Sequence, residues 1–498
     1  MTNRSSELNA RTGIAEAEQL RLAGELDRAK HIAIDVLRQF PSYYAAHHTL
    51  GLINADLKLS DDAILSLSKA NALLPNQPIT LVALSTVYSQ LGAVASARMF
   101  TELALKQDPS QAATHLMLGT ILKDERDYAK AQAALQTCLS IDPGWQAPKL
   151  QLAIVMTHIG QLEQSRDLIL DVLDGDPTSG NAAALLLSLP KGLVPLDILQ
   201  KISDTGFRFD NEAEFPERRH FFTANLMKRL GQHDDAWAAY QKANKTVFTQ
   251  SATQLNMQQN WQNQSLAHAK KYSDHRPLDD AESPISLFIL GPSRSGKTSL
   301  EAFIGKSEQV QLGYENPSFK TALHETFSAA GFVSSYQLDL LPEPLHADFR
   351  RRYMQHVKAR LDGKQIFTDT SPLNIHNALA ISRIIPNSRF VFIKRDPIET
   401  AIRIFQTNYN SGNLYAYSEK SALKHVKWYY EMIQSCAKIL GSHATVVHHE
   451  AFCADPGAYV KQINTLLKTQ FQVGKQSPWA TDSDETQIYR QKFAALIP

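Results

Sequence analysis

Proline spacing sets the frame of the N-terminal half. Pro41, Pro75, Pro109, Pro143 and Pro177 stand 34 residues apart. A fixed period of this length marks a stack of repeats rather than one closed core. Twelve residues before each proline stands Ala29, Ala63, Ala97, Ala131 or Ser165, a small side chain where two helices of a hairpin have to approach closely. Seventeen before it, Gly24, Gly92 and Gly160 occupy three of the five positions and suit the turn between the helices. One such hairpin cannot bury its apolar face alone, so stacked neighbours complete a continuous core and leave a curved groove. A groove of this kind implies a protein or peptide partner, or an extended substrate.

The pattern resembles the tetratricopeptide repeat (TPR) and covers residues 8–177. A divergent hairpin is expected at Arg218–Lys245, where the turn glycine returns as Gly231 and the small residue as Ala236. Between them Thr178–Pro216 reads as irregular, because Pro190 and Pro195 break any long helix. The Gln- and Asn-rich stretch from Gln250 to about Ser265 reads as a capping helix, which makes 178–275 a connector, and HRPLDDAESP at 275–284 reads as the linker between domains.

Past the linker the pattern changes. ISLFIL (285–290), IFTD (366–369), FVFI (390–393) and TVVH (445–448) are apolar runs of strand length, separated by segments long enough for helices. That alternation predicts a parallel sheet covered by helices on both faces over residues 284–498.

Charge and cysteine usage narrow the function. The 498 residues include 51 Lys and Arg against 50 Asp and Glu, which leaves no broad basic field. Neither nucleic acid nor an anionic membrane is expected as a partner, and any anion has to be gripped locally. Cys138, Cys436 and Cys453 are too scattered for a disulfide framework or a zinc site. The opening MTNRSSELNARTG has no apolar core of signal-peptide length, and no run of about eighteen apolar residues occurs, so a cytoplasmic protein is expected.

The strongest chemical signal is GPSRSGKT at 291–298, which follows one strand run and precedes a helix. Backbone N–H groups in such a loop point inward at phosphate oxygens, helped by the helix N-terminus, while Lys297 and Arg294 add charge. Gly291-x4-Gly296-Lys297-Thr298 is formally a complete Walker A sequence. Taken alone it suggests a kinase or nucleotide triphosphatase using ATP and Mg²⁺, with Asp369 as the aspartate that organises the metal.

The surrounding residues point to a different chemistry. Ser293 to Glu301, S-R-S-G-K-T-S-L-E, resembles the P-R-S-G-T-T-L-x-E loop of sulfotransferases, which holds the phosphosulfate end of 3′-phosphoadenosine 5′-phosphosulfate (PAPS). Glu315 in LGYENPSF is similar in setting to the glutamate that acts as catalytic base in tyrosylprotein sulfotransferases. TDTSPLN (368–374) resembles the family's D-K-x-P-x-N segment, and FVFIKRDPIETAIRIFQTNY (390–409) its strand-then-R-D-P element, which binds the 3′-phosphate. HHEAFCADP (448–456) is similar to its Y-E-D-L-x-x-D-P segment. The hairpin FFTANLMKRLGQHDDAWAAYQKAN resembles the one that joins repeats to catalytic domain in bacterial TPR-linked sulfotransferases.

The resemblance implies an N-terminal TPR solenoid followed by a P-loop-like α/β sulfotransferase domain. Its reaction moves a sulfuryl group from PAPS to a hydroxyl of a protein tyrosine, glycan or small molecule, and requires no metal. By that match Arg294, Ser295, Gly296, Lys297, Thr298 and Ser299 hold the 5′ end of the donor, and Arg395 and Arg403 the 3′-phosphate. Glu315 takes the acceptor's proton, while Lys297 and Arg294 stabilise the departing phosphate.

The departures are equally specific. Thr370 stands where the family has lysine, and Lys297 where it has threonine or serine, so Lys297 is a candidate to replace the missing charge. Arg403 stands where the family has serine, and either holds the 3′-phosphate or blocks its pocket. ATDSDETQIYR (480–490) loosely resembles the late segment that closes over the donor, with Ser483 and Arg490 as contacts. Glu315 also has a bland reading as a surface carboxylate, and Arg395 as an ion pair with Asp396 or Glu399. A scaffold whose second domain has lost turnover stands beside the kinase as the remaining alternative, with Thr370 and Arg403 as its evidence.

Overall fold

The computed structural model describes residues 2–91, 93–209, 216–250, 252–271, 277–280, 282–332, 335–409, 412–470 and 484–494. Gly92 and Ser483 lie outside these described residues. The chain divides into two compact units, Met1–Asp210 and Asn211–Pro498.

The described residues of the first unit fold mainly into helices. Its hairpins pair α1 (Thr2–Leu22) with α2 (Leu26–Gln39), α3 (Tyr44–Asp56) with α4 (Ser60–Leu73), α5 (Pro78–Gln90) with α6 (Val94–Gln107), α7 (Ala112–Asp124) with α8 (Tyr128–Ile141), and α9 (Gln146–His158) with α10 (Leu162–Gly175). The second helices start at 26, 60, 94, 128 and 162, so the period of the prolines is also the period of the helices. Each proline sits in the turn that leads to the next helix, where its fixed φ and missing N–H do no damage.

The small residues at the repeated position, Ala29, Ala63, Ala97, Ala131 and Ser165, are all 0% exposed. A second repeated small position lies on the first helix of each hairpin. A Cβ on Gly51 would come within 2.5 Å of Leu67 Cγ, and one on Gly119 within 2.6 Å of Leu135 Cγ. Gly24 and Gly160 adopt φ of +81°, and where glycine is absent Lys58 and Arg126 take the same left-handed turn at +63° and +65°. The turn geometry is therefore set by the packing of the hairpin, and the side chain follows.

From Thr178 onward, Pro190 and Pro195 separate two nine-residue helices, α11 (Gly180–Ser188) and α12 (Leu196–Asp204). The segment that reads as irregular is thus partly helical, with prolines at the breaks. A parallel bridge between Ser179 and Arg208 and the burial of Phe207 and Phe209 fix its end.

The second unit begins with the hairpin α13 (Glu217–Arg229) and α14 (His233–Gln250), followed by α15 (Ala252–Lys271). Five parallel strands follow: β1 (Ile285–Leu290), β2 (Val310–Gln311), β3 (Ile366–Asp369), β4 (Ser388–Lys394) and β5 (Ala444–His448), in the order β2-β3-β1-β4-β5. Successive residues of each strand point to opposite faces. Phe288, Leu290, Phe367, Phe390 and Phe392 meet α17 (Ser318–Ala329), α18 (His346–Lys358), α19 (Ala378–Ile384) and α21 (Glu419–Leu440). Leu287, Ile289, Ile366, Val391 and Ile393 meet α16 (Lys297–Ile304), α22 (His449–Ala454) and α23 (Pro456–Leu467) on the other face. Helices on both faces of a parallel sheet are what the alternation of strand and helix segments predicts.

The hairpin α13–α14 shares a core with α20 (Pro397–Phe405) and α24 (Asp484–Ala494), in which Trp237 packs on Phe405 with ring centroids 5.2 Å apart. Asn244 Nδ2 donates to the Phe405 carbonyl at 2.9 Å, and Lys228 Nζ to Gln406 Oε1 at 3.0 Å. The motif boundary at 284 therefore differs from the boundary of packing, which takes the divergent hairpin into the second unit.

Candidate active site

Parallel strands bring their carboxyl ends to one edge of the sheet, and ligands of such sheets bind where the strand order reverses, here around β1. Leu290 pairs with Phe392 and Phe288 with Asp369, so the loop after β1 lies between the ends of β3 and β4. Gln311 pairs with Phe367, which brings the segment 312–316 to the same edge. Residues from four distant parts of the chain meet there.

The loop 291–296 turns tightly from β1 into α16. Arg294 has φ +65° and Gly296 φ +100°. A Cβ on Gly291 would stand 2.5 Å from Ser295 Oγ and 3.1 Å from the Ile393 carbonyl, so the turn has no space for a side chain. Gly296 caps α16 without a side chain, which leaves the N–H groups of the first turn without an intrahelical acceptor. Ser295 is fully buried, and its hydroxyl has no hydrogen-bond partner among the described residues. An anion in the turn would meet all of these donors at once. Thr298 is exposed and Ser299 half-buried at the same helix start.

Lys297 opens α16 and is 5% exposed, with Nζ donating to the Pro292 carbonyl at 3.1 Å. Burial pushes its pKa down to about 8, and the carboxylates of Glu315 and Glu301 oppose that shift while Arg294 adds to it. Arg294 itself is exposed and donates through Nε to Thr407 Oγ1 at 2.9 Å, which ties the loop to the end of α20.

Glu315 is exposed, in the bend that joins β2 to α17. Its negative charge raises the pKa of Lys297, Asp369, Tyr336 and Tyr409, so it lies close to the carboxyl end of the sheet. Asp369 is buried and held well above the usual carboxylate range by desolvation, although it accepts the Ser371 N–H at 2.7 Å. Thr370 is buried too; its N–H donates to the Tyr314 carbonyl at 2.9 Å and its hydroxyl has no partner among the described residues.

Arg395 follows β4 and pairs with Glu399 at 3.4 Å, both side chains being buried. Of the two expectations for it, the ion pair with Glu399 is present in the structure. Tyr430 Oη both accepts the Arg395 N–H at 2.9 Å and donates to its carbonyl at 2.6 Å, which fixes the strand end. Asp396 caps α20 by accepting from the N–H groups of Ile398 and Glu399. Arg403 is half-buried on the same helix. Arg490, expected as a donor contact, pairs with Asp396 at 3.1 Å. It thereby clasps α24 to the start of α20.

Two site features have no counterpart in the sequence reading. Glu301 is part of the loop motif, but its role is visible only in the fold: it accepts from Tyr314 and Thr368. The second is a pair of ring stacks, the buried Tyr415 on His425 at 3.5 Å and the half-buried Trp261 on His376 at 3.7 Å. Burial pushes both histidines down to about 3, so they are neutral packing elements. Among the described residues no helix is long and apolar enough to cross a membrane, and no group of three or more His, Cys, Asp or Glu is placed to hold a metal ion.

A parallel sheet with helices on both faces, and a glycine loop between β1 and α16 at its switch point, define the second unit as an α/β domain. Residues 284–472 match the Sulfotransferase family, and residues 122–189 match the Tetratricopeptide repeat. The chain thus joins TPR repeats to a sulfotransferase-family domain, as the motifs implied. No curated protein matches the sequence.

Among solved structures, a tetratricopeptide repeat protein from Parabacteroides merdae is 15% identical, with 47% of this chain and 92% of that chain covered at a TM-score of 0.40. MamA is 20% identical over 32% of this chain and 94% of its own, with a TM-score of 0.31. YrrB, described as a TPR protein with an unusual peptide-binding site, is 18% identical over 36% of this chain and 94% of its own, with a TM-score of 0.32.

Proposed function

We propose that the protein is a PAPS-dependent sulfotransferase acting on a hydroxyl acceptor. The observation that carries this reading is the buried Lys297 at the start of α16, after the loop that follows β1, with the exposed Glu315 carboxylate near enough for its charge to act on it. A cation and a base at the same edge of the sheet are what sulfuryl transfer between two oxygens needs. The turn also fits the donor, since its orphaned Ser295 hydroxyl and open helix start are suited to a phosphate.

In the reaction the acceptor oxygen forms a bond to sulfur as the bond from sulfur to the 5′-phosphate oxygen breaks. The hydroxyl proton passes to Glu315, whose exposure lets it return that proton to water. The products are a sulfate ester and 3′-phosphoadenosine 5′-phosphate. Lys297, Arg294 and the N–H groups of Gly296, Thr298 and Ser299 stabilise the charge that develops on the leaving phosphate. Lys297 supplies the cation that Thr370 cannot. Arg395 and Arg403 receive the 3′-phosphate, with Glu399 as the counter-ion that holds Arg395 in place before binding. The repeats recruit a protein or peptide, either the acceptor or a partner that brings it, in the cytoplasm.

Calorimetric titration with 3′-phosphoadenosine 5′-phosphate, beside ATP with Mg²⁺, tests the reading on the wild type and on Arg395→Ala. Binding of the bisphosphate that the substitution weakens supports it. A preference for ATP with Mg²⁺ replaces it with a kinase or nucleotide triphosphatase, and binding of neither leaves a scaffold.

A further inference from the structure

We propose that Glu301 is a positioning residue that fixes the bend carrying Glu315 over the glycine loop, an inference that rests on the reading of Glu315 as the base. Glu301 is 0% exposed, on the second turn of α16. A carboxylate that far from water costs several kcal/mol unless hydrogen bonds replace its hydration. The hydrogen bonds shown for it are specific and converge on one of its two oxygens: Oε1 accepts the Tyr314 N–H at 2.7 Å and also the Thr368 hydroxyl. The Thr368 hydroxyl in turn accepts the Gly313 N–H at 2.9 Å. Two successive amides of the bend therefore terminate, directly or through one hydroxyl, on a single carboxylate oxygen.

The bend needs such an anchor. Tyr314, next to Glu315, has φ +56°, a left-handed conformation that costs a residue with a side chain about 1–2 kcal/mol. Strain of this kind persists only where neighbours over-determine the backbone. Here the Tyr314 N–H is held by Glu301, and its carbonyl accepts the Thr370 N–H at 2.9 Å. Gly313 admits no side chain, because a Cβ would collide with the Thr368 carbonyl. Asn316, on the far side of Glu315, is buried and accepts the Ser318 N–H at 2.8 Å to start α17. Glu315 is thus a solvent-facing side chain on a backbone clamped at both neighbours.

Lys297 and Glu301 stand four residues apart on one short helix, hence on one face. The helix whose first turn forms the floor of the glycine loop also anchors, one turn later, the bend with the base. The distance between donor and base is set by a rigid element rather than by two independent loops. An apolar residue at 301 would fill the same space, yet it would leave the Tyr314 amide buried without an acceptor and Glu315 without a fixed origin.

The test compares the wild type, Glu301→Ala, Glu301→Gln and Thr368→Val in three measurements. These are amide exchange over 312–316 with β4 as the control for overall folding, calorimetric binding of 3′-phosphoadenosine 5′-phosphate, and turnover of PAPS with water or a simple phenol as acceptor. Glu301→Ala should speed exchange at Tyr314 at least tenfold, leave β4 and bisphosphate affinity within about threefold, and lower kcat by about 10²-fold, the cost of misplacing a catalytic group by about 1 Å. Glu301→Gln retains an acceptor oxygen and should recover most of both effects, and Thr368→Val should fall between. Unchanged exchange at Tyr314 in Glu301→Ala overturns the proposal, as does fast exchange with wild-type turnover. If the wild type neither binds the bisphosphate nor turns PAPS over, the sulfotransferase reading fails, and the exchange data still decide whether Glu301 holds the bend.

Discussion

In the solenoid, Ala29, Ala63, Ala97, Ala131 and Ser165 occupy one position five times over, whereas in the α/β unit Lys297, Glu301, Glu315 and Asp369 each fill a position that occurs once. His47 and His115 show the same repetition in polar form, each bonding a turn proline's carbonyl, Pro41 at 2.8 Å and Pro109 at 2.9 Å. Repetition spreads stability over many near-equivalent local contacts, each made with the next element in the chain. The candidate site adds contacts between residues more than fifty positions apart, such as Thr368 with Gly313. A substitution should therefore act locally and gradually in the first unit, and all at once on function in the second.

The largest effect that sharpens this contrast is expected at Glu315. Glu315→Gln should reduce PAPS turnover by about 10²–10⁴-fold, the usual worth of a general base. Because the side chain is exposed, thermal midpoint and bisphosphate binding should stay close to those of the wild type. A variant that keeps full turnover breaks the contrast, since the single-copy residue would then be dispensable.

Lys297 should show stability and function opposed. Its pKa is pushed down to about 8 in the folded state, so below that pH the buried charge carries its full desolvation cost. Between pH 8 and the ordinary lysine range the unfolded chain binds the extra proton, and stability therefore rises with pH across that window. Lys297→Met should be more stable than the wild type at pH 7 by up to about 3 kcal/mol, with the gain fading toward pH 10, and should lose bisphosphate binding. Urea unfolding at the two pH values, with calorimetry at pH 7, checks both halves.

Smaller effects belong to the repeats. Gly51→Ala should overpack Leu67 and cost about 1–3 kcal/mol, read as earlier melting with bisphosphate affinity unchanged. Loss of donor binding in that variant would join the two units functionally and weaken the distinction. At the turn positions Lys58→Gly and Arg126→Gly should each stabilise by about 0.5–1 kcal/mol, because both residues hold a left-handed φ that glycine adopts without penalty.

Much of the fold was legible because its signals are local. The proline period gave the five hairpins, and IFTD and ISLFIL are the strands β3 and β1 to the residue. The two-residue strand β2 was not legible, since so short a segment has no alternation to detect and is a strand only through its pairing with β3. Lys297, Glu315 and Arg395 could be named from the spacing and resemblance of their motifs. Glu399 as the partner of Arg395 was one of two options, and the fold decided it by burying both side chains 3.4 Å apart where β4 passes into α20. Arg490 on Asp396 was not legible, because nothing within either segment refers to the other.

By itself the sequence determined the repeat length, the change from helical to strand-and-helix grammar, and the identity of the loop after β1, all of which are patterns along the chain. Tertiary structure alone decided that the hairpin at Arg218–Lys245 packs with α20 and α24, that Lys297 is buried, and that Glu301 holds the bend before Glu315. The physical reason is common to the three. Burial and hydrogen bonding are properties of the neighbours that folding brings together, and those neighbours come from parts of the chain that carry no local mark of one another.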